Sequence, residues 1–322
     1  MLISLVISIV VITIVIGCNN LKQIKVSKSQ ELKPKVKNDV IEANNNFSYQ
    51  LFKTVIKDEP SKNIAISPVS MSTILTMIYN GAEGTTKSNL ENVLGTTGIK
   101  LKQVNSYYSN LQSQLLNADK INLNIANSLW IDNKFKVNPN FVAKMENFYQ
   151  SEVFNFDAAD QRAVKQVNSW VSKKTNGEIR KMVQSLNGSK MLLINALYFK
   201  GDWEEPFSPA QTKQAKFKTI SGNKKQVAMM EQQSEFNYFQ NKNVKLLKLP
   251  YCNQRISFYV LMPPSEVQFN KWLNKLTMEQ VQEYIKSARP EEVKVKLPKF
   301  KIEYGAKKFN KNLSKMGLET LF

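Results

Sequence analysis

The chain has 322 residues, 42% of them hydrophobic and 22% charged, which is enough apolar material for one large folded domain. Its 45 Lys and Arg residues against 26 Asp and Glu give a formal net charge of +19, which we interpret as a lysine-solvated surface, with polyanion binding as the alternative. Because the chain has no histidine and two cysteines, it excludes Ser-His-Asp and Cys-His catalysis and the common zinc sites, and it carries neither a GxGxxG nor a GxxxxGK[ST] motif. We therefore expect neither an enzyme nor a cofactor.

An uncharged apolar run opens the chain at residues 2–17 and is followed directly by Cys18. The run is shorter than the about 20 residues that span a bilayer, and it fits the apolar part of a secretion signal. Its end, Val15-Ile16-Gly17-Cys18, resembles a bacterial lipobox, although no Lys or Arg precedes the run. This resemblance implies that 1–18 is a lipoprotein-type signal peptide and that Cys18 carries a lipid. The alternative is an uncleaved signal anchor, and both interpretations place the rest of the chain outside the cytoplasm.

A lysine-rich segment follows at residues 19–42, with few large apolar side chains. Because such a segment cannot bury enough surface to fold alone, we predict a flexible tether. Its charge also offers an attraction to anionic lipid headgroups, but a plain spacer is the preferred interpretation. The folded domain is predicted to occupy 43–322. The second cysteine, Cys252, lies at a predicted strand end and is interpreted as a small space-filling side chain.

From Asn45 onward, helical and strand periodicities predict the secondary structure. Helices are predicted at 47–56, 71–78, 86–94 (with Thr86 as the N-cap), 107–116, 141–149 and 164–171. Strands are predicted at 63–67, 121–131, 153–156, 191–199, 244–249, 256–262 and 293–304. The alternation in 121–131 predicts a half-buried strand, whereas the apolar run 191–199 predicts a strand that is covered on both faces. The order of these elements predicts an α+β fold in one large domain.

Short motifs along the same region resemble the serpin family of serine protease inhibitors. The most specific is 193–203 (LINALYFKGDW). Others occur in the family's order at 63–70 (NIAISPVS), 79–86 (YNGAEGTT), 127–130 (NSLW), 167–171 (VNSWV), 175–179 (TNGEI), 249–251 (LPY), 261–263 (LMP) and 297–300 (LPKF). Each short motif alone is weak, but their common order from Asn45 to the end of the chain makes the resemblance specific.

The resemblance implies roles for four residues. Ser67, Ser70 and Asn195 match the polar cluster beneath the central strands of the family's large sheet, a region called the shutter. Trp203 matches the tryptophan at the top of that sheet, where the mobile loop enters. Asn195 lies in a buried run, so its amide needs hydrogen-bond partners, because an unpaired one costs a few kcal/mol.

The resemblance also implies a function. A serpin traps a serine or cysteine protease as an acyl-enzyme and inserts its cut loop into the large sheet. A serpin also continues beyond the segment that matches Phe322, with a central strand, a hinge and the reactive loop, so we expect this chain to stop before that loop and not to inhibit by itself. Two alternatives remain: a non-inhibitory binding protein on the same scaffold, and a product that does not fold stably. We expect a monomer whose partners are a protease and, through the lipid, a membrane, with no specific nucleic acid.

Overall fold

The computed structural model describes residues 34–117, 121–219, 222–252, 254–264, 269–302 and 308–322. The predicted signal peptide, Cys18 and the first part of the predicted tether lie outside these residues. The first half of the described chain contains α1 (Pro34–Asp58), α2 (Pro68–Tyr79), α3 (Gly84–Val93), α4 (Leu101–Leu116), β1 (Ile121–Asp132), α5 (Pro139–Tyr149), β2 (Glu152–Phe156), α6 (Gln161–Lys174) and β3 (Met191–Gly201). The second half contains β4 (Lys213–Lys218), β5 (Lys224–Gln240), β6 (Lys245–Pro250), β7 (Ser257–Met262), α7 (Phe269–Lys275), α8 (Met278–Ser287), β8 (Arg289–Pro298) and α9 (Asn310–Lys315).

Helix α1 begins earlier than the sequence predicted. Pro34 opens it, at a position where the missing N–H of proline costs nothing. Val40 is 1% exposed and packs in the same core as Phe47 and Leu51. The prediction of a flexible tether is therefore wrong for residues 34–42. These residues have too few apolar side chains to fold alone, but the helix supplies Val40 to a core that the rest of the domain builds.

The first sheet has the strand order β2-β1-β3, with β1 parallel to β2 and antiparallel to β3. One face of β1 and β3 packs on α2, α4 and α5 through residues such as Leu129 and Leu193, and α1 packs on α2 and α4 in the same core. The other face packs on α6 through residues such as Trp130 and Ile194. This confirms the predicted double coverage of 191–199. The prediction of a half-buried strand holds only for the start of β1, because the second face is buried against α6 from Ala126 onward.

The second sheet is antiparallel, in the order β4-β5-β6-β7, with β8 also paired to β5. The fold is thus α+β, as the sequence predicted. Two local predictions are wrong. Residues 63–67 have no regular secondary structure and form no ladder with another described strand, although Ile66 is buried. Helix α3 starts at Gly84, where a φ of +55° suits glycine, so Glu83 and not Thr86 occupies the N-cap position.

The strand predicted at 293–304 is also shifted. Strand β8 begins at Arg289, because its first residues pair with the far end of β5, and it ends at Pro298. Within the described ranges, no helix is both long enough and apolar enough to cross a bilayer.

Candidate functional site

Ser67 and Ser70 form a buried pair at the start of α2. The N–H of Ser70 donates to Oγ of Ser67 at 3.3 Å, and the Ser67 hydroxyl donates to Oγ of Ser70 at 3.0 Å. Ser67 has an extended backbone and is the N-cap of the helix, and Pro68 follows in the first turn. The two predicted serines are therefore brought together, and their first role in this structure is to begin the helix that packs against β3.

Asn195 lies at the middle of β3, opposite Asn127 in the register with β1. Its Nδ2 donates to Oδ1 of Asn127 at 2.8 Å. Nδ2 of Asn127 in turn donates to Oε1 of Gln112 at 3.1 Å and to the carbonyl of Tyr149 at 2.7 Å. This chain of amides joins two strands to α4 and α5 inside the core.

One atom of this network has no partner among the described residues. Oδ1 of Asn195 is buried and accepts no hydrogen bond there, which costs about 1–3 kcal/mol for a buried acceptor. No hydrogen bond between described residues joins Asn195 to Ser67 or Ser70. The serines and the asparagine are thus two separate polar groups in this structure, and their joint role as a shutter stays a prediction.

Asn127 makes more side-chain hydrogen bonds than Asn195, although it is not among the site residues predicted from the sequence. The sequence pattern could have identified it. Ile121, Leu123 and Ile125 are alternate residues on the apolar face of the strand, and Asn127 is the next residue on that face. A polar side chain on that face points into the core and must find partners there.

A second buried polar group, also missed, lies behind Asn127. The hydroxyl of Tyr149 donates to Oδ1 of Asn105 at 2.7 Å, and the amides of Asn105 and Asn80 donate to each other at 2.8 and 2.9 Å. Burial, and then the neighbouring Tyr108, raise the pKa of Tyr149 well above its ordinary value. The hydroxyl therefore stays protonated and keeps its hydrogen bond. Together these contacts fix α2, α4 and α5 beneath the sheet.

Trp203 lies two residues beyond the end of β3 and joins the two sheets. Its ring stacks on Tyr251, with centroids 4.6 Å apart and planes 10° apart, and contacts Phe207 and Phe258 edge-on. Cys252 donates from Sγ to the Trp203 carbonyl at 3.2 Å. Gly201 lies six positions after Asn195, about 20 Å along the strand, so the asparagine and tryptophan groups mark the middle and the end of β3.

Helix α6 is held across the first sheet by a charged contact at its C-terminal end. Nζ of Lys174 lies 2.6 Å from Oε1 of Glu152, and Nε1 of Trp170 donates to Oε2 of the same carboxylate at 3.1 Å. Burial raises the pKa of Glu152, but the hydrogen bonds from Lys174 and Trp170, together with the positive charges of Lys174 and Lys173, lower it by more, so the pKa lies below its ordinary value. This contact ties α6 to β2.

The described residues contain no cluster of acidic or cysteine side chains that could hold a metal ion. What the geometry offers is an edge on which a strand can be added. In the described part of the chain, β3 is the last strand of its sheet, although both of its faces are covered. The backbone groups that point away from β1 can pair with an added segment, and the serine pair, Asn195 and Trp203 lie along that strand or beneath it.

Comparisons with known proteins agree over the same region. The profile of a family described as "Serpin (serine protease inhibitor)" matches residues 42–322. The leukocyte elastase inhibitor of Xenopus tropicalis is 31% identical over 287 residues, which cover 86% of this chain and 76% of that protein. The thermophilic serpin tengpin in its latent state has a TM-score of 0.79 and 30% identity, over 90% of this chain and 77% of that one. Human thyroxine binding globulin with a cleaved reactive loop has a TM-score of 0.81 and 25% identity, over 88% and 85%.

Proposed function

Because this chain belongs to the serpin family, we propose that the reading frame that contains it encodes a serpin-type inhibitor, which traps a serine or cysteine protease as an acyl-enzyme. The hydroxyl or thiol of the protease attacks a bond in an exposed loop of the inhibitor. The cut loop then leaves the surface and pairs as a new strand with the large sheet. The protease, still esterified to the loop, is carried along before it can deacylate.

The observation that carries this proposal is the match of residues 42–322 to the serpin family, together with the edge position of β3 among the described strands. An edge strand that is buried on both faces is unusual, because its outward backbone groups need partners. The central strand of the family's large sheet, and the cut loop that inserts beside it, can supply those partners. Pairing of the inserted loop with the sheet is the proposed source of the driving force.

The test uses the complete reading frame and a panel of serine and cysteine proteases. We expect at least one protease to form a complex that survives denaturing electrophoresis, with the mass of an ester or thioester between the two chains. A protease whose nucleophile has been blocked beforehand is the control and should form none. If every protease that cleaves the loop leaves a cleaved chain, without a complex and without a rise in melting temperature, the trap mechanism is refuted.

One comparison favours a second candidate, a non-inhibitory binding protein on the same scaffold. Thyroxine binding globulin, whose name states what it binds, shares the fold over 88% of this chain. Under this alternative, a protease that cleaves the loop forms no covalent complex, and the activity to measure before and after cleavage is the binding of a ligand. The protease assay therefore separates the two candidates directly.

We also propose that the domain lies outside the cytoplasm, anchored through a lipid on Cys18. Support comes from the uncharged apolar run 2–17 and from the small residue Gly17 before the cysteine. In a bacterial host, metabolic labelling with a fatty-acid analogue should mark the intact protein but not a Cys18→Ser variant. Equal labelling of both proteins would reject lipidation at Cys18.

A further inference from the structure

Strands β4 and β5 extend one end of the second sheet as a two-stranded ribbon. Strand β4 pairs with 224–229 of β5, whereas the ladder between β5 and β8 begins only at Met229. We call residues 213–218 and 224–228 the basic ribbon. It carries five lysines, all exposed: Lys213, Lys216, Lys218, Lys224 and Lys225. Between Glu205 and Glu231 the sequence contains no acidic residue.

The charges of the basic ribbon are not neutralised within the described structure. No described carboxylate lies within ion-pair distance of any of the five ammonium groups, whereas Lys294 and Lys296 of β8 share Glu231. Lys218 stands directly opposite Lys224 in the register. Like charges in directly opposite positions destabilise a strand pair, so an anionic partner would relieve an unfavourable contact.

An aromatic side chain lies among these lysines. Phe217 is 41% exposed and stands opposite Lys225, one register position before the Lys218–Lys224 pair. Since directly opposite residues share a face and successive residues alternate, Lys218 and Lys224 lie on one face and Phe217 and Lys225 on the other. The outer end of the ribbon therefore presents lysines on both faces and one uncovered ring.

We propose that the outer end of the basic ribbon docks on an anionic lipid surface. A plane that meets the ribbon end-on is equally close to the lysines of both faces, whereas a polymer lying along one face would reach only one set. Lysine side chains can extend to lipid phosphates while the phenyl ring enters the boundary between headgroups and acyl chains. The exposed ring favours a bilayer over a dissolved polyanion, for which an apolar group offers no gain.

The test follows hydrogen exchange of peptides that cover 213–230 in the full chain, with vesicles of phosphatidylcholine alone or with 30% phosphatidylglycerol. We expect added protection of these peptides on the anionic vesicles only. Each lysine near such a surface contributes about a fivefold factor, so removing three lowers the contact equilibrium about a hundredfold. The variant Lys218→Gln/Lys224→Gln/Lys225→Gln should therefore lose the added protection, even where the N-terminal segment keeps the chain on the vesicle.

The matched control removes the same charge from exposed positions elsewhere, in the variant Lys87→Gln/Lys102→Gln/Lys136→Gln, which should keep the protection. A Phe217→Ser variant should reduce it on vesicles. Equal protection on neutral vesicles, or unchanged protection in the ribbon variant, would overturn the proposal. Protection by soluble dextran sulfate that matches the effect of vesicles and ignores Phe217→Ser would assign the ribbon to a dissolved polyanion and would also overturn it.

Discussion

Two facing asparagines in the first sheet are expected to respond very differently to the same substitution. Asn127→Ala removes three hydrogen bonds at once: the two that its Nδ2 donates, to Gln112 and Tyr149, and the one that its Oδ1 accepts from Asn195. Asn195→Ala removes only the last of these and also removes the unpartnered Oδ1. The residues are buried neighbours, so the volume lost on truncation is the same at both positions.

The magnitudes follow from the partners left behind. Each buried group that loses its hydrogen-bond partner costs about 1–3 kcal/mol, and Asn127→Ala leaves three such groups, so it should lower the free energy of unfolding by at least about 3 kcal/mol. In Asn195→Ala, one orphaned acceptor on Asn127 replaces the orphaned acceptor that Asn195 itself carried. These two effects nearly cancel. We expect a loss of about 0–2 kcal/mol there, and a difference of at least about 1 kcal/mol between the variants.

The assay is urea unfolding of the 322-residue chain and its variants, followed by tryptophan fluorescence and by far-ultraviolet circular dichroism. The double variant serves as the control, because the two substitutions remove one shared hydrogen bond. The losses of the two single variants should therefore sum to about 1 kcal/mol more than the loss measured in the double variant. If Asn195→Ala destabilises the chain as much as Asn127→Ala does, the reasoning from this network is wrong.

Three further predictions concern other contacts. Backbone N–H groups that donate to the Asp132 carboxylate hold its pKa below the ordinary 3.8. The ionised carboxylate therefore stabilises the fold fully above pH 3.8, and this contribution is lost as the pH falls through the lower folded pKa. In acid unfolding curves, the difference in stability between wild type and Asp132→Asn should shrink over that range. Trp170→Phe removes the hydrogen bond to Glu152. Because Glu152 is exposed enough for solvent to weaken the contact, thermal unfolding should show a loss of stability of about 1 kcal/mol. No change would show that this contact does not hold α6. Burial raises the pKa of Tyr251 to about 12, and Trp203→Ala uncovers this side chain. Spectrophotometric titration should therefore show the pKa of Tyr251 falling toward 10. An unchanged pKa would mean that Trp203 is not the cause of the shift.

Sequence periodicity predicted most elements because their local patterns were complete. The stripe of Val164, Val167, Trp170 and Val171 predicted α6, and the apolar run 191–199 predicted β3 together with its double coverage. The prediction failed where a partner distant in sequence decides the outcome. Residues 63–67 have a strand-like composition but no strand to pair with in the described structure. Residues 34–42 are too polar to fold alone, yet they continue α1 because the core accepts Val40.

The sequence by itself determined the α+β class, the resemblance to serpins, and the candidates Ser67, Ser70, Asn195 and Trp203. Each of these follows from short stretches of residues, because their periodicity and motifs do not depend on distant parts of the chain. Only the tertiary structure decided how those candidates bond. It paired the serines with each other, and it made Asn127 rather than Asn195 the residue with most partners. It also brought five lysines and Phe217 onto one ribbon. These outcomes depend on register and packing between strands and helices, which no local pattern of residues specifies.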